Sequence, residues 1–144
     1  MMTRFTNRMQ KVGRGLRLTG SVTASFAGAA YVLFPPLSTA GLWEADWPAI
    51  TWGVLMFAAG IVTALGIRSR ILNVEQYGML MTVVSTGMLI INQTLLMLYP
   101  PVTPTRLGGT LILVAFLSFA TARYFELAAD IRSAKLAEEK VRGD

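Results

Sequence analysis

"YGMLMTVVSTGMLIINQTLLMLY", residues 77–99, contains no charged side chain. A helix needs about 20 predominantly apolar residues to cross the hydrocarbon core of a bilayer, and this segment has them without interruption. A surface helix of a soluble protein would carry a polar face; none is visible here. Pro100-Pro101 follow at once, where proline stops a helix from continuing. The segment predicts a transmembrane helix.

Three more apolar runs flank it: 18–34, closed by Pro35-Pro36, then 50–67 and 107–122. The first two are short for spans. The last can lengthen through Tyr124, Phe125 and Leu127 if the Arg123 head group snorkels to the interface. The expected fold class is therefore all-α: an integral membrane bundle of four transmembrane helices, preceded by an N-terminal basic amphipathic interfacial helix over 3–17. A cytoplasmic helical tail over 123–144 completes one membrane domain, 1–144. Composition agrees. Of the 144 residues 53% are hydrophobic and 15% charged, against about a quarter charged in soluble domains. Cys and His are both absent, which removes disulfides, thiolate or imidazole metal sites and His-dependent catalysis.

Basic residues orient the chain. Arg4, Arg8, Lys11, Arg14 and Arg17 precede the first run, Arg68 and Arg70 sit between the second and third, and Arg123, Arg132, Lys135, Lys140 and Arg142 follow the fourth. Arg106 is the one basic residue left for the other two loops. Short cytoplasmic loops collect Lys and Arg, so both termini are expected in the cytoplasm, with the chain in the cytoplasmic membrane. A basic start followed by an apolar run also suits a signal peptide. The Pro-Pro pair, the Trp-bearing loop and three more apolar runs favour a retained span.

On a helical wheel Phe5, Met9, Val12 and Leu16 share a sector and the five basic residues point away from it. That is the pattern of a helix lying in the membrane surface, where each basic residue contributes about 1 kcal/mol on anionic lipid. Gly13 and Gly15 weaken helix, and a bend near Gly15 is expected. Plain positive-inside anchoring is the simpler alternative. The net charge of +5 is assigned to lipid and not to nucleic acid, because the charges flank apolar runs.

Trp43, Trp47 and Trp52 are expected at the headgroup level, where an indole keeps its N–H wet. Glu44 and Asp46, two carboxylates in the same loop, are read as solvated. Gly20, Ala24 and Gly28, then Gly60 and Ala64, then Gly78, Thr82 and Thr86, are small residues at spacings that let helices approach closely in lipid. Asn92 and Gln93 interrupt the third run. Adjacent helical positions point about 100° apart, so only one amide can face a neighbour directly. Asn92, the shorter, is expected to do so, with Ser21, Thr23, Ser25, Thr110 or Ser118 as partner, while Gln93 reaches toward the outer interface. Glu75 is expected to pair at the surface with Arg68 or Arg70, a contact worth little.

The segment "WGVLMFAAGIVTALGIRSRILNVEQYGML", residues 52–80, resembles small multispanning membrane proteins encoded by phages of actinobacteria, some of them called holin-like. The resemblance rests on Trp52-Gly53, Gly60, Gly66, the arginine-bearing turn, and Glu75 followed by Gly78. It implies a phage-associated membrane protein, and for the holin-like members an oligomer that permeabilises the cytoplasmic membrane. Taken with the absence of any nucleophile–base pair or metal cluster, it leads to an expected non-enzymatic function without cofactors. The expected partners are anionic lipid and either further copies of the chain or other membrane subunits. An accessory subunit of a larger membrane assembly and a small oligomeric channel or transporter are the alternatives.

Overall fold

The structure is a computed structural model describing residues 2–34, 47–98 and 104–142, with side chains from Val12 in the first helix and from Leu107 in the last. Its regular elements are four α-helices: α1 (Met2–Leu33), α2 (Trp47–Ser69), α3 (Leu72–Met97) and α4 (Pro104–Arg142).

The basic arm and the first apolar run form one continuous helix, so the bend expected near Gly15 is absent. Each glycine costs a helix roughly 1 kcal/mol, which is too little to break one that continues on both sides. Three helices are long and apolar enough to cross a membrane: Trp47–Ser69, Leu72–Met97 and α4 from Leu107 onward. α1 falls short because Thr19, Gly20, Ser21, Thr23, Ser25 and Gly28 dilute its apolar residues. The fourth run and the tail, too, are a single helix, continuous to Arg142.

α2 and α3 are joined by a tight turn. Arg70 adopts a left-handed conformation, φ 59°, and the Ile71 N–H donates to the Gly66 carbonyl at 3.1 Å. This pairing of the second residue past the helix with its last turn is the Schellman closure, which favours glycine at the position Arg70 holds.

α1 packs on α2, α2 on α3 and α3 on α4, while α1 and α4 stay apart. The buried positions of α3 include Glu75, Gly78, Thr82, Ser85, Leu89, Asn92 and Leu96. They alternate by three and four residues, so they form one stripe along the helix. Half the stripe is polar, yet Leu80, Val84, Met88 and Ile91 on the same helix are exposed. The same inversion holds elsewhere: Ser21 and Thr63 are buried, while Phe26, Leu65, Leu111, Ile112 and Phe119 are exposed. In water this would leave a contiguous apolar surface far larger than soluble monomers carry; in lipid it is the low-energy arrangement.

Glycines set the helix separations. A methyl group at Gly28 would overlap the backbone of Gly53 and Phe57, and one at Gly60 would overlap Ser21 and Ser25. α1 is thereby seated directly on the α2 backbone. Gly78 lies against Thr63, and Gly66 against the backbone of Glu75. The second contact puts the first turn of α3 beside the last turns of α2.

Candidate functional site

Glu75 follows from that last contact. It stands in the first turn of α3, where the helix dipole favours a carboxylate, and Gly66 leaves no room between its backbone and α2. The residue is 4% exposed. Arg123 reaches it from α4, with Nε donating to Oε1 at 3.1 Å and Nη2 to the same oxygen at 2.9 Å. The remaining arm of the guanidinium, Nη1, donates to Glu126 Oε2 at 3.0 Å. Arg17 approaches from α1, its Nη1 3.7 Å from Glu75 Oε1, within ion-pair range but beyond a hydrogen bond.

The two arginines are not equivalent. The side chains of Glu75 and Arg123 are 6% and 13% exposed, so that pair is shielded from water; the Arg17 side chain is 28% exposed. The planar guanidinium of Arg123 holds two carboxylates at once, its rigid fork placing Nε and Nη2 on one and Nη1 on the other. The expected partners Arg68 and Arg70 are both exposed and belong to none of the ion pairs among the described residues. Arg123 is instead held by Glu75 and Glu126. The arrangement is a clasp. One carboxylate on α3 holds α4 by two charge-assisted bonds and draws α1 by a third, longer attraction.

A groove lies where α1 and α4 fail to meet. The part of it beside Arg14 and Arg17 has a volume of about 820 Å³ and is walled by α1 residues such as Arg14, Arg17 and Gly20 and by α4 residues such as Phe116, Arg123 and Asp130, with Gly60, Thr63 and Thr82 at its floor. Gly20, Ala24 and Phe116 also border a second cavity of about 370 Å³ that reaches Gly28, Tyr31 and Trp52. The two form one trough along α1.

The residues singled out for packing fall in different places. Gly28, Gly60 and Gly78 lie at helix–helix contacts, and Gly20 meets nothing within 4 Å and opens on the groove. Ala24 packs against the cluster of Trp52, Met56 and Leu89. Ala64 borders a shallow cavity between α1 and α2. Asn92 is 2% exposed, Gln93 half-buried. Two hydroxyls considered as Asn92 partners are occupied within their own helices: Ser21 donates to the Arg17 carbonyl and Ser118 to that of Val114. Ser25 donates to Ser21 and, across the α1–α2 contact, to the Phe57 carbonyl.

Trp47 is exposed, but Trp52 is 9% exposed and faces the core, because it shares the inward stripe of α2 with Ala49, Met56 and Ala59. Trp43, and the side chains of Arg4, Arg8 and Lys11, lie outside the described residues. Thr82 and Thr86, expected with Gly78 as small packing residues, are buried; Thr63 and Ser85, also buried, were not among the expected site residues. Their signal was available: on α3 the polar residues recur at the spacing of Glu75 and Asn92. Among the described residues the hydroxyls of Thr63 and Thr86 have no hydrogen-bond partner, whereas Ser85 donates to the Thr82 carbonyl.

Helices with polar residues turned inward and apolar residues outward, three of them long enough to cross a bilayer, define an all-helical membrane protein. The sequence matches no protein-family model, no curated protein and no solved structure.

Proposed function

We propose that the chain is a non-enzymatic, phage-associated and holin-like protein of the cytoplasmic membrane, which permeabilises that membrane by assembling with further copies of itself. The observation that carries this reading is the outer face of α4. This helix packs on α3 alone and leaves Leu111, Val114, Ser118 and Phe125 exposed, a stripe spaced for contact with another helix. α1 acts as the fourth span, because its residues around Gly28 and Ser21 lie against Gly53 and Gly60 of α2 and so share the depth of a helix that crosses. Twelve of the thirteen Lys and Arg residues then face the cytoplasm with both termini, and the basic arm meets anionic lipid there. Exposed Val12 and Leu16 supply the arm's apolar side.

The test uses the absence of cysteine. Leu111→Cys and Val114→Cys, each in the otherwise unchanged chain, are induced in bacteria while membrane potential is followed with a dye. Collapse at a defined time, together with disulfide-linked ladders, is the expected result. Sustained potential with no crosslinked species refutes it. A second reading, an accessory subunit of a larger assembly, is favoured by the end of α4, where residues 132–142 are all exposed. Unchanged potential with a co-purifying membrane partner would select that reading. Reporter fusions after Asp144 and after Arg70 should report cytoplasm and one at Ser38 the outside; a cytoplasmic signal at Ser38 overturns the four-span topology.

A further inference from the structure

The mouth of the groove between α1 and α4 is asymmetric in charge. Arg14 and Arg17 stand on the α1 wall, Glu126 and Asp130 on the α4 wall. One of these charges is only loosely held within the fold and another has no ion-pair partner among the described residues. Arg17 Nε is buried with no hydrogen-bond partner among the described residues, and its Nη1 comes only to 3.7 Å from Glu75. Asp130 takes part in none of the ion pairs among the described residues. A cation with unspent donors thus shares an open trough with a carboxylate that has no counter-ion.

Behind the mouth the trough is apolar and long. From Arg17 to Tyr31, α1 rises about 21 Å at 1.5 Å per residue. That exceeds the roughly 15 Å thickness of one leaflet's hydrocarbon. Near the mouth, three residues beyond Arg17, a Cβ at Gly20 would meet no atom within 4 Å. A space of this size, bordered by lipid, is filled by whatever apolar molecule lies beside it.

We propose that the groove binds one phospholipid whose headgroup carries both a phosphate and a primary ammonium, as in phosphatidylethanolamine. The phosphate accepts from Arg14 and Arg17, the ammonium donates to Asp130 and Glu126, and one acyl chain runs past Gly20 and Ala24 toward Trp52. Arginine suits a phosphate because its N–H groups fork onto two oxygens, and an ammonium brings three donors to the opposite wall. Phosphatidylglycerol offers nothing cationic to Asp130. Phosphatidylcholine has the cation but no N–H to donate. Of the three, the ammonium lipid alone matches both walls. The inference rests on the chain's lying in a bilayer and is independent of the assembly proposed above.

Trp52 reports on the occupant. Trp43→Phe and Trp47→Phe in the full chain leave it as the single tryptophan of the three, and at 9% exposure it is shielded from bulk lipid. The protein is reconstituted in vesicles containing ethanolamine, glycerol or choline phospholipid brominated near the chain end, a quencher of indole fluorescence. The ethanolamine lipid should reach half-maximal quenching at a mole fraction about fivefold lower than the other two, the factor one charged contact contributes near a lipid surface. Gly20→Phe should abolish the quenching while the helical circular dichroism is kept, and Asp130→Asn should reduce the ethanolamine lipid to the level of choline. Lipid released from the unsubstituted chain after mild-detergent extraction, weighed by native mass spectrometry, gives a reading free of substitutions and should be enriched in ethanolamine lipid. Equal quenching by the glycerol lipid would leave only unspecific attraction to arginine. Equal quenching by the choline lipid would leave ordinary boundary lipid. Quenching that survives Gly20→Phe, or a change of oligomer size in that variant, would put the chain elsewhere or give the groove to a second copy; either overturns the proposal.

Discussion

Glu75→Gln should destabilise the protein by about 3 kcal/mol. The figure follows from the geometry of the clasp. Arg123 donates two hydrogen bonds to one carboxylate oxygen, at 2.9 and 3.1 Å, and bonds to charged groups contribute about 1.5–3 kcal/mol each. With the two side chains 6% and 13% exposed, water cannot restore what is lost, and removing one member of such a pair costs about 3–5 kcal/mol. Glutamine keeps an acceptor oxygen, which places the estimate at the low end. Arg17 stands farther off and is more exposed, so its coupling to Glu75 should be about 1 kcal/mol or less. Two double-mutant cycles separate these contributions, Glu75→Gln with Arg123→Met and Glu75→Gln with Arg17→Met. Each is measured by titrating sodium dodecyl sulfate into protein held in a mild detergent and following helical circular dichroism. Added salt should hardly change the Arg123 coupling, since shielded pairs are weakly screened. An Arg123 coupling under about 1 kcal/mol, or one smaller than that of Arg17, would show that the clasp behaves as a surface pair.

The same titration checks three further expectations. Gly66→Ala drives a methyl group into the Glu75 backbone and should cost about 1–3 kcal/mol as an overpacked contact, whereas Gly87→Ala, with nothing within 4 Å, should stabilise α3 by up to about 1 kcal/mol. Arg70→Gly relieves a left-handed arginine at φ 59° and should stabilise the turn by roughly 0.5–1 kcal/mol; a loss of stability would mean that the turn is held by the arginine side chain. Asn92→Leu should be more damaging than Gln93→Leu, by about 1 kcal/mol or less for an interhelical polar contact, because Asn92 is 2% exposed; the reverse order would assign the inward face to Gln93.

The helices were legible in the sequence wherever apolar residues run on unbroken, as in 77–99, because spanning a bilayer demands length and composition and little else. α1 was harder. The small and hydroxylated residues that seat it on Gly53 and Gly60 are the ones that lower its hydropathy, so close packing and a continuous apolar run compete in this helix. The clasp was not legible. Nearness in sequence offered Arg68 and Arg70 to Glu75, while the true partners sit on α1 and α4, and no local pattern links residues 75 and 123. The stripe that carries Glu75 could have been traced, since Glu75, Thr82, Ser85 and Asn92 fall on one face of a 3.6-residue helix. Looking for an apolar stripe, as one does in soluble proteins, hides it. The burial of Trp52 was hidden for a related reason: its residue type draws attention to an interface, whereas its phase with Ala49 and Met56 turns it toward the core.

Each helix rests on the one next to it in the chain, and this order has a consequence for how the molecule is made. Every helix pair can dock as soon as its second member leaves the ribosome and enters the bilayer, without waiting for a distant segment, so the contacts of this fold are local ones that close early. Glu75 is the exception. It is already lodged against α2 when α3 docks, yet its closer arginine arrives on the last helix to be synthesised. Until α4 is made, Arg17 is the one of its two arginines already synthesised, and in the finished fold Arg123 joins it at the same carboxylate oxygen.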